Sequence, residues 1–240
     1  MIKLVNIIAK LLNYLPVNFK NILLEVILEY FPSWLIKIIP CSYSSYLKCY
    51  LPGKGDVILD CGAHIGNCAV LFSRFVGKEG IVIALEPFEE SFKILQNRAR
   101  RLRRKNIIAI NKGVWNNTGR FSLRIFSNTI SCKVVEDVNV VIKNNKHKYI
   151  DCVTIDDLMD ELKVKRLDMI KMDIEGAEIE ALQGSENTLR NYNPCVAIAS
   201  YHNRDNKPTY LKVEEILCSQ GYYANTFFPP HLTTCGKRII

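Results

Sequence analysis

The sequence contains no C-x-x-C pair, no uncharged apolar run long enough to span a bilayer, no low-complexity tract and no internal repeat. Each absence removes a class of protein. Nine cysteines, an odd number scattered along the chain, argue against a zinc site or a disulfide framework and for buried thiols in a reducing compartment. Without about 20 consecutive apolar residues, a transmembrane helix is not expected. The N-terminal segment has no small-residue cleavage site and continues as charged, helical sequence, so it does not read as a secretory signal. Glycine is also missing where a dinucleotide needs it, because no G-x-G-x-x-G occurs.

What is present is the composition of a globular protein: 240 residues, 48% of them hydrophobic, with a formal net charge of +8. This length suits one α/β domain with extensions. The moderate positive charge favours anionic partners or surfaces in general. Met1 to Leu15 places Leu4, Ile7, Ile8, Leu11, Leu12 and Leu15 at helical spacing, with Lys3, Asn6, Lys10 and Asn13 between them. Asn21 to Phe31 is a second helical segment. A basic amphipathic helix of this kind packs on a catalytic domain or makes peripheral contact with a membrane surface. The expected location is therefore the cytoplasm, with or without membrane contact. Pro52-Gly53-Lys54-Gly55 marks the boundary between a helical extension, residues 1–52, and a core domain, residues 53–240.

The stretch Asp56 to Phe75 organises that core. Val57-Ile58-Leu59 reads as a strand buried on both faces, ending at Asp60, and Asn67 to Val76 reads as a helix. Gly62, Ala63 and Gly66 form the tight loop between them, at the carboxyl end of a strand, where open α/β sheets bind ligands. Ile81 to Leu85 is a second strand. Glu86 follows it, roughly 20 residues beyond the glycine loop, where an acid suits a pair of ribose hydroxyls. The loop is D-x-G-x-x-x-G, without the middle glycine that brings backbone N–H groups against a pyrophosphate. S-adenosylmethionine carries an amine, a sulfonium and a ribose but no phosphate. Carboxylates at Asp60 and Glu86 fit it better than they fit NAD.

The blocks DVILDCGAHIGNCAVLF, IVIALEPFEESFKIL, VTIDDL and DMIKMDIEGAEIEALQGSENTL, in this order over roughly residues 57–202, resemble the FkbM family of S-adenosylmethionine-dependent methyltransferases. The resemblance implies a class I, Rossmann-like fold: a mostly parallel sheet with flanking helices and a final antiparallel strand pair. It also implies O-methylation of a sugar, glycan or natural-product hydroxyl. Under it, Asn111, just after the strand Ile107 to Ile110, falls where adenine is commonly contacted. Asp173, ending the strand Met169 to Met172, falls beside the transferable methyl group. Such families often carry an acid shortly before the histidine that here is His202. This chain has Ser200 and Tyr201 instead, so an acid assisting His202 must come from elsewhere.

The strand-end rule itself points Asp173 into the cleft expected to hold Asp60 and Glu86. Glu175 is placed to contact the acceptor or orient Asp173, and Glu178 either joins them or stabilises its helix N-terminus. His202, after the strand Cys195 to Ser200, has an ordinary pKa near working pH of about 6.5 and suits a general base, as does Asp173. Asp173 and Glu175 together do not establish a metal site, and none is expected. Pro87 to Lys105 reads as a helix whose terminal Arg98, Arg100, Arg101, Arg103, Arg104 and Lys105 form a solvated end. An RNA acceptor would use such a patch, but it lacks interleaved aromatics, so nucleic acid is disfavoured. A cofactor-binding protein without catalysis is the remaining alternative. Between Phe121 and Val153, strands Val138 to Ile142 and Tyr149 to Val153 suggest a hairpin arm near the acceptor.

Overall fold

A computed structural model describes residues 42–125, 132–135, 147–204, 207–227 and 232–238. The helices read at Met1 to Leu15 and Asn21 to Phe31, and the strand at Val138 to Ile142, lie outside these residues. Short apolar runs supply the central strands: β1 (Val57–Cys61), β2 (Ile81–Leu85), β3 (Ile107–Ile110), β8 (Met169–Met172) and β9 (Cys195–Ala199). All five are parallel where they pair. With β12 (Tyr222–Phe227) and β13 (Thr233–Arg238) they form one seven-stranded sheet of order β12-β13-β9-β8-β1-β2-β3. The expected antiparallel pair closes the chain, with β13 inserted between β12 and β9 and antiparallel to both. From β1 the sheet grows one way through β2 and β3 and the other way through β8 and β9. The β1–β8 boundary is therefore the topological switch point, where such sheets bind ligands.

Successive strand residues alternate between two apolar layers, as a pleated strand requires. Ile58, Val82, Met169 and Ala197 face α1 (Ser42–Cys49) and α2 (Asn67–Val76) through Tyr46, Ala69 and Phe72. Leu95 of α3 (Glu89–Arg101) joins that layer. Leu59, Ile83, Ile170 and Val196 face α4 (Ile155–Leu162), α5 (Glu178–Gln183), α6 (Glu186–Tyr192) and α7 (Tyr210–Ser219) through Leu158, Leu182, Leu189 and Leu217. Thr154 caps α4 by accepting the Asp157 N–H at 2.9 Å. Helices α5 and α6 are separated at Gly184, where a Cβ would lie 2.5 Å from the Trp115 carbonyl oxygen.

The arm is a four-stranded sheet of order β4-β7-β5-β6, from β4 (Gly113–Val114), β5 (Gly119–Ile125), β6 (Cys132–Val135) and β7 (His147–Val153). Its β7 pairs with β5 and β4, a partnership the expected hairpin did not include. A small ribbon of β10 (Asn203–Arg204) and β11 (Lys207–Pro208) follows β9. The expectation of thiols alone is corrected: Cys49 of α1 and Cys235 of β13 form a disulfide across a sequence separation of 186, which no spacing rule could reveal. Cys61, Cys68, Cys152, Cys195 and Cys218 are not disulfide-bonded. Among the described residues, no helix is long and apolar enough to cross a membrane.

Register sets one polar contact inside the first layer. Asp60 and Lys171 are neighbours across β1 and β8, and their side chains meet at 2.9 Å, both buried. Two desolvated charges are tolerated because each offsets the other. Lys171→Met strands the Asp60 carboxylate, and a loss of about 3–5 kcal/mol of unfolding free energy is expected. Adding Asp60→Leu removes both charges and should lose less than Lys171→Met alone. Urea titration reads the difference; a Lys171→Met protein as stable as wild type contradicts the pairing.

Candidate active site

The loop after β1 is shaped by what lies beside it. Gly62 has φ +74, and a Cβ there would lie 2.0 Å from the Asp173 carbonyl oxygen, so backbone passes backbone at the switch point. Gly66, also left-handed, opens α2. Lys171 Nζ donates to the Gly62 carbonyl at 2.9 Å and to that of Cys61 at 3.4 Å, which ties the loop to β8. From the other side, Arg98 turns inward and donates to the Ile65 carbonyl and the Asn67 side chain. This corrects the reading of Arg98 as part of a solvated helix end; Arg100, Arg101, Arg103 and Lys105 are exposed.

Two cavities open on this loop. One, of about 210 Å³, is walled by Leu85, Pro87, Phe88, Val114, Ile150 and Cys152, with Glu86, Asp173 and Glu175 among its polar groups. Two of those walls, Ile150 and Cys152, come from β7 of the arm. The other, of about 260 Å³, is polar: Tyr46, Asn67, Lys171, Asp173 and Tyr201 line it with Ala63 and Cys68. Gly62, His64 and Asp173 border both.

Glu86 sits where the sequence placed it. Its carboxylate accepts the His64 N–H at 2.8 Å and the Phe88 N–H at 3.0 Å, one on each oxygen. Burial raises its pKa, and those two N–H groups pull it back. Asn111 does not line the cavity. Its amide donates to the Glu86 and Pro87 carbonyls at 2.8 and 3.1 Å and so closes the turn, while Lys112 and Gly113 reach the wall. Asp60 is also not on either wall. It is a residue short of the end of β1, so its side chain stays within the sheet's layer against Lys171, a correction to its expected place in the open cleft. Burial opposes the Lys171 ammonium, but Asp60 together with Cys68 and Asp173 outweighs burial and holds the lysine charged.

The residues after β8 converge on Asp173. Its Oδ2 accepts the Tyr46 phenol at 3.0 Å and its Oδ1 the Tyr201 phenol at 3.3 Å. Glu175 and Gly176 are both left-handed, with φ 58 and 99, and the turn is held by Glu178, whose Oε1 accepts the Ile174 and Gly176 N–H groups at 3.3 and 3.2 Å. That same oxygen lies 2.9 Å from His202 Nδ1, while His202 Nε2 lies 3.5 Å from Glu175 and 3.8 Å from Asp173. Glu178 is therefore the acid missing before His202, supplied from α5. Burial disfavours a charged imidazole here, but Glu175, Glu178 and Asp173 outweigh it and raise the His202 pKa to about 10. His64 is the opposite case: burial and Lys171 lower its pKa. Among the described residues, no group of three or more His, Cys, Asp or Glu side chains is arranged to hold a metal ion.

The methyltransferase FkbM domain matches residues 60–223, more than half of the chain. The chain belongs to the FkbM methyltransferase family. The FkbM methyltransferase of Methylobacillus flagellatus KT superposes with a TM-score of 0.55 at 22% identity, over 85% of this chain and 52% of that one. The chain thus spans about half the length of that FkbM relative. Aeropyrum pernix fibrillarin, solved with natively bound S-adenosyl-L-methionine, superposes with a TM-score of 0.52 at 15% identity, over 80% of this chain and 73% of that one. A Streptococcus mutans protein solved with SAH gives 0.52 at 12% identity, over 82% and 96%. At these identities the likeness is one of fold, the class I methyltransferase fold. No curated protein matches the chain.

Tyr46, His64, Arg98, Lys171 and Tyr201 were not foreseen at this FkbM site. Lys171 had a signal in the sequence, being the one charge inside the apolar run Met169 to Met172. The His202 geometry gives a test. A folded pKa of about 10 against an ordinary 6.5 means the native state holds a proton that the unfolded chain releases. Its stabilisation is complete below about pH 6.5 and is lost as pH rises toward 10. Wild type should therefore lose its advantage over His202→Gln across that window, by on the order of a few kcal/mol. Thermal denaturation of both proteins from pH 6 to 10 measures it, and a pH-independent difference contradicts a charged His202.

Proposed function

We propose that the protein transfers a methyl group from S-adenosylmethionine to a hydroxyl oxygen of a sugar, glycan or other small natural product. The observation that carries this reading is the meeting of an apolar and a polar cavity at Gly62, His64 and Asp173, over the switch point of the sheet. The donor set fits the cofactor. Each Glu86 oxygen accepts one backbone N–H and keeps accepting capacity for a ribose hydroxyl. Leu85, Phe88, Val114 and Ile150 offer an apolar slot for adenine. Asp173 and Glu175 complement positive charge, and they would repel the pyrophosphate of a dinucleotide. Tyr46, Asn67 and Asp173 would hold the charged amino-acid end.

When bound, the cofactor supplies a methyl group on a sulfonium, a good leaving group. The chain's own residues then have two tasks. One is alignment of the acceptor oxygen, a contribution that reaches about 7–11 kcal/mol in ideal cases. The other is removal of the hydroxyl proton. Asp173 takes it: the carboxylate borders both cavities, and two phenols fix its oxygens. His202, charged at neutral pH, acts with Glu175 and Glu178 to hold that carboxylate in place and to balance its charge.

Isothermal titration should show S-adenosylhomocysteine binding and no NAD binding. Glu86→Ala should weaken that binding about ten- to hundredfold, since hydrogen bonds to a charged acceptor contribute about 1.5–3 kcal/mol. Preference for NAD contradicts the reading. Labelled S-adenosylmethionine with a cell extract, followed by mass spectrometry, identifies the acceptor. With that acceptor in single-turnover assays, Asp173→Asn should slow transfer by about 10²-fold or more while S-adenosylhomocysteine affinity falls by less than about tenfold. Unaltered transfer would make Asp173 structural.

A further inference from the structure

Helix α1 lies before the family-matched region, residues 60–223, yet it reaches the centre of the site. Tyr46 is buried, lines the polar cavity and donates to Asp173 Oδ2 at 3.0 Å. Its ring also lies 5.6 Å from the Lys171 ammonium, within cation–π range. Burial and the neighbouring Asp173 raise the phenol's pKa, so Tyr46 remains a donor at any working pH. One turn further on, Cys49 is bridged to Cys235 of β13. Cys235 stands opposite Ala197 of β9, the strand that runs into Tyr201 and His202. A single covalent bond therefore joins the helix that delivers Tyr46 to the strand pair that delivers the other side of the Asp173 clamp.

Eight residues are too few for a helix to hold itself in water, where stability needs about 12–15. Among the described residues, α1 is held by its packing against β9 and β13 and by this bridge. We propose that Tyr46 is a positioning residue for Asp173, and that the Cys49–Cys235 bridge holds it there, so cofactor affinity follows the thiol–disulfide state of that one pair. The inference rests on the S-adenosylmethionine reading of the site. Both cysteines are half-buried, within reach of a small dithiol. A dithiol thiolate attacks one bridge sulfur and forms a mixed disulfide. The second dithiol sulfur then closes on the first, leaving two protein thiols and a cyclic oxidised dithiol. Released from β13, α1 moves, and Tyr46 leaves Oδ2.

The test is a cycle of titrations with S-adenosylhomocysteine on the full chain, oxidised or reduced with dithiothreitol, as wild type, Tyr46→Phe and Cys49→Ser. Alkylation and intact mass report the thiols in each sample. Reduction of wild type should expose two further thiols and weaken binding about three- to tenfold, and Cys49→Ser should match the reduced wild type. Tyr46→Phe should bind as weakly as reduced wild type and no longer respond to reductant, because the effect passes through the phenol. A bridge that only stabilises the fold predicts a lower melting temperature on reduction in both proteins, with equal effects on affinity. Absence of the bridge by mass, a wild-type affinity that ignores reductant, or a Tyr46→Phe protein that still responds would each overturn the inference. Failure of oxidised wild type to bind S-adenosylhomocysteine overturns the function reading, and this inference with it.

Discussion

A carboxylate and an ammonium, both out of water, meet between β1 and β8, and the rest of the site is built around that contact. Asp60 and Lys171 are side by side in register and 2.9 Å apart. Their partnership permits two charges inside a layer otherwise made of Ile58, Phe72, Met169 and Ala197. Lys171 has donors left over, and it uses them on the carbonyls of Cys61 and Gly62. The glycine loop is thereby fastened to the strand whose end carries Asp173. A buried ion pair adds little net stability compared with apolar residues of the same size. What it does here is fix where two strand ends and one loop stand relative to one another.

Above that floor, charge is arranged by distance. Four carboxylates lie around one cleft, and each is held differently. Glu86 accepts two backbone N–H groups, Asp173 two phenols, and Glu175 and Glu178 share His202. The imidazole that looked in isolation like a proton acceptor is, in this company, a cation. The carboxylates of Asp173, Glu175 and Glu178 surround it and balance its charge. His202 is pushed up and His64 down by their surroundings, so two imidazoles of one cleft carry different charge.

Much of this was legible in the sequence, for physical reasons. Strands β2 and β8 are short apolar runs buried on both faces over most or all of their length, so their limits coincide with where the polar residues begin. Glu86, Asp173, Glu175 and His202 were legible because strand ends in this architecture point at one place. Asp60 misled for the complementary reason: one residue before a strand end, a side chain belongs to the layer and not to the cleft. Arg98 reads as solvated from its neighbours Arg100 and Arg101, but helical periodicity turns it inward while they face water. Tyr46 and the Cys49–Cys235 bridge could not be read at all. They join segments far apart in the chain, and nothing local in either segment records the other.

The central claim is that one cofactor crosses from the apolar cavity to the polar one over Gly62. A crystal structure with S-adenosylhomocysteine tests it most directly. The account predicts ribose hydroxyls on Glu86, adenine against Phe88 and Val114, and the amino-acid end beside Asp173 and Tyr46. A ligand seated away from Glu86 and Asp173, such as in the polar cleft lined by Arg190 and Arg238, would contradict it.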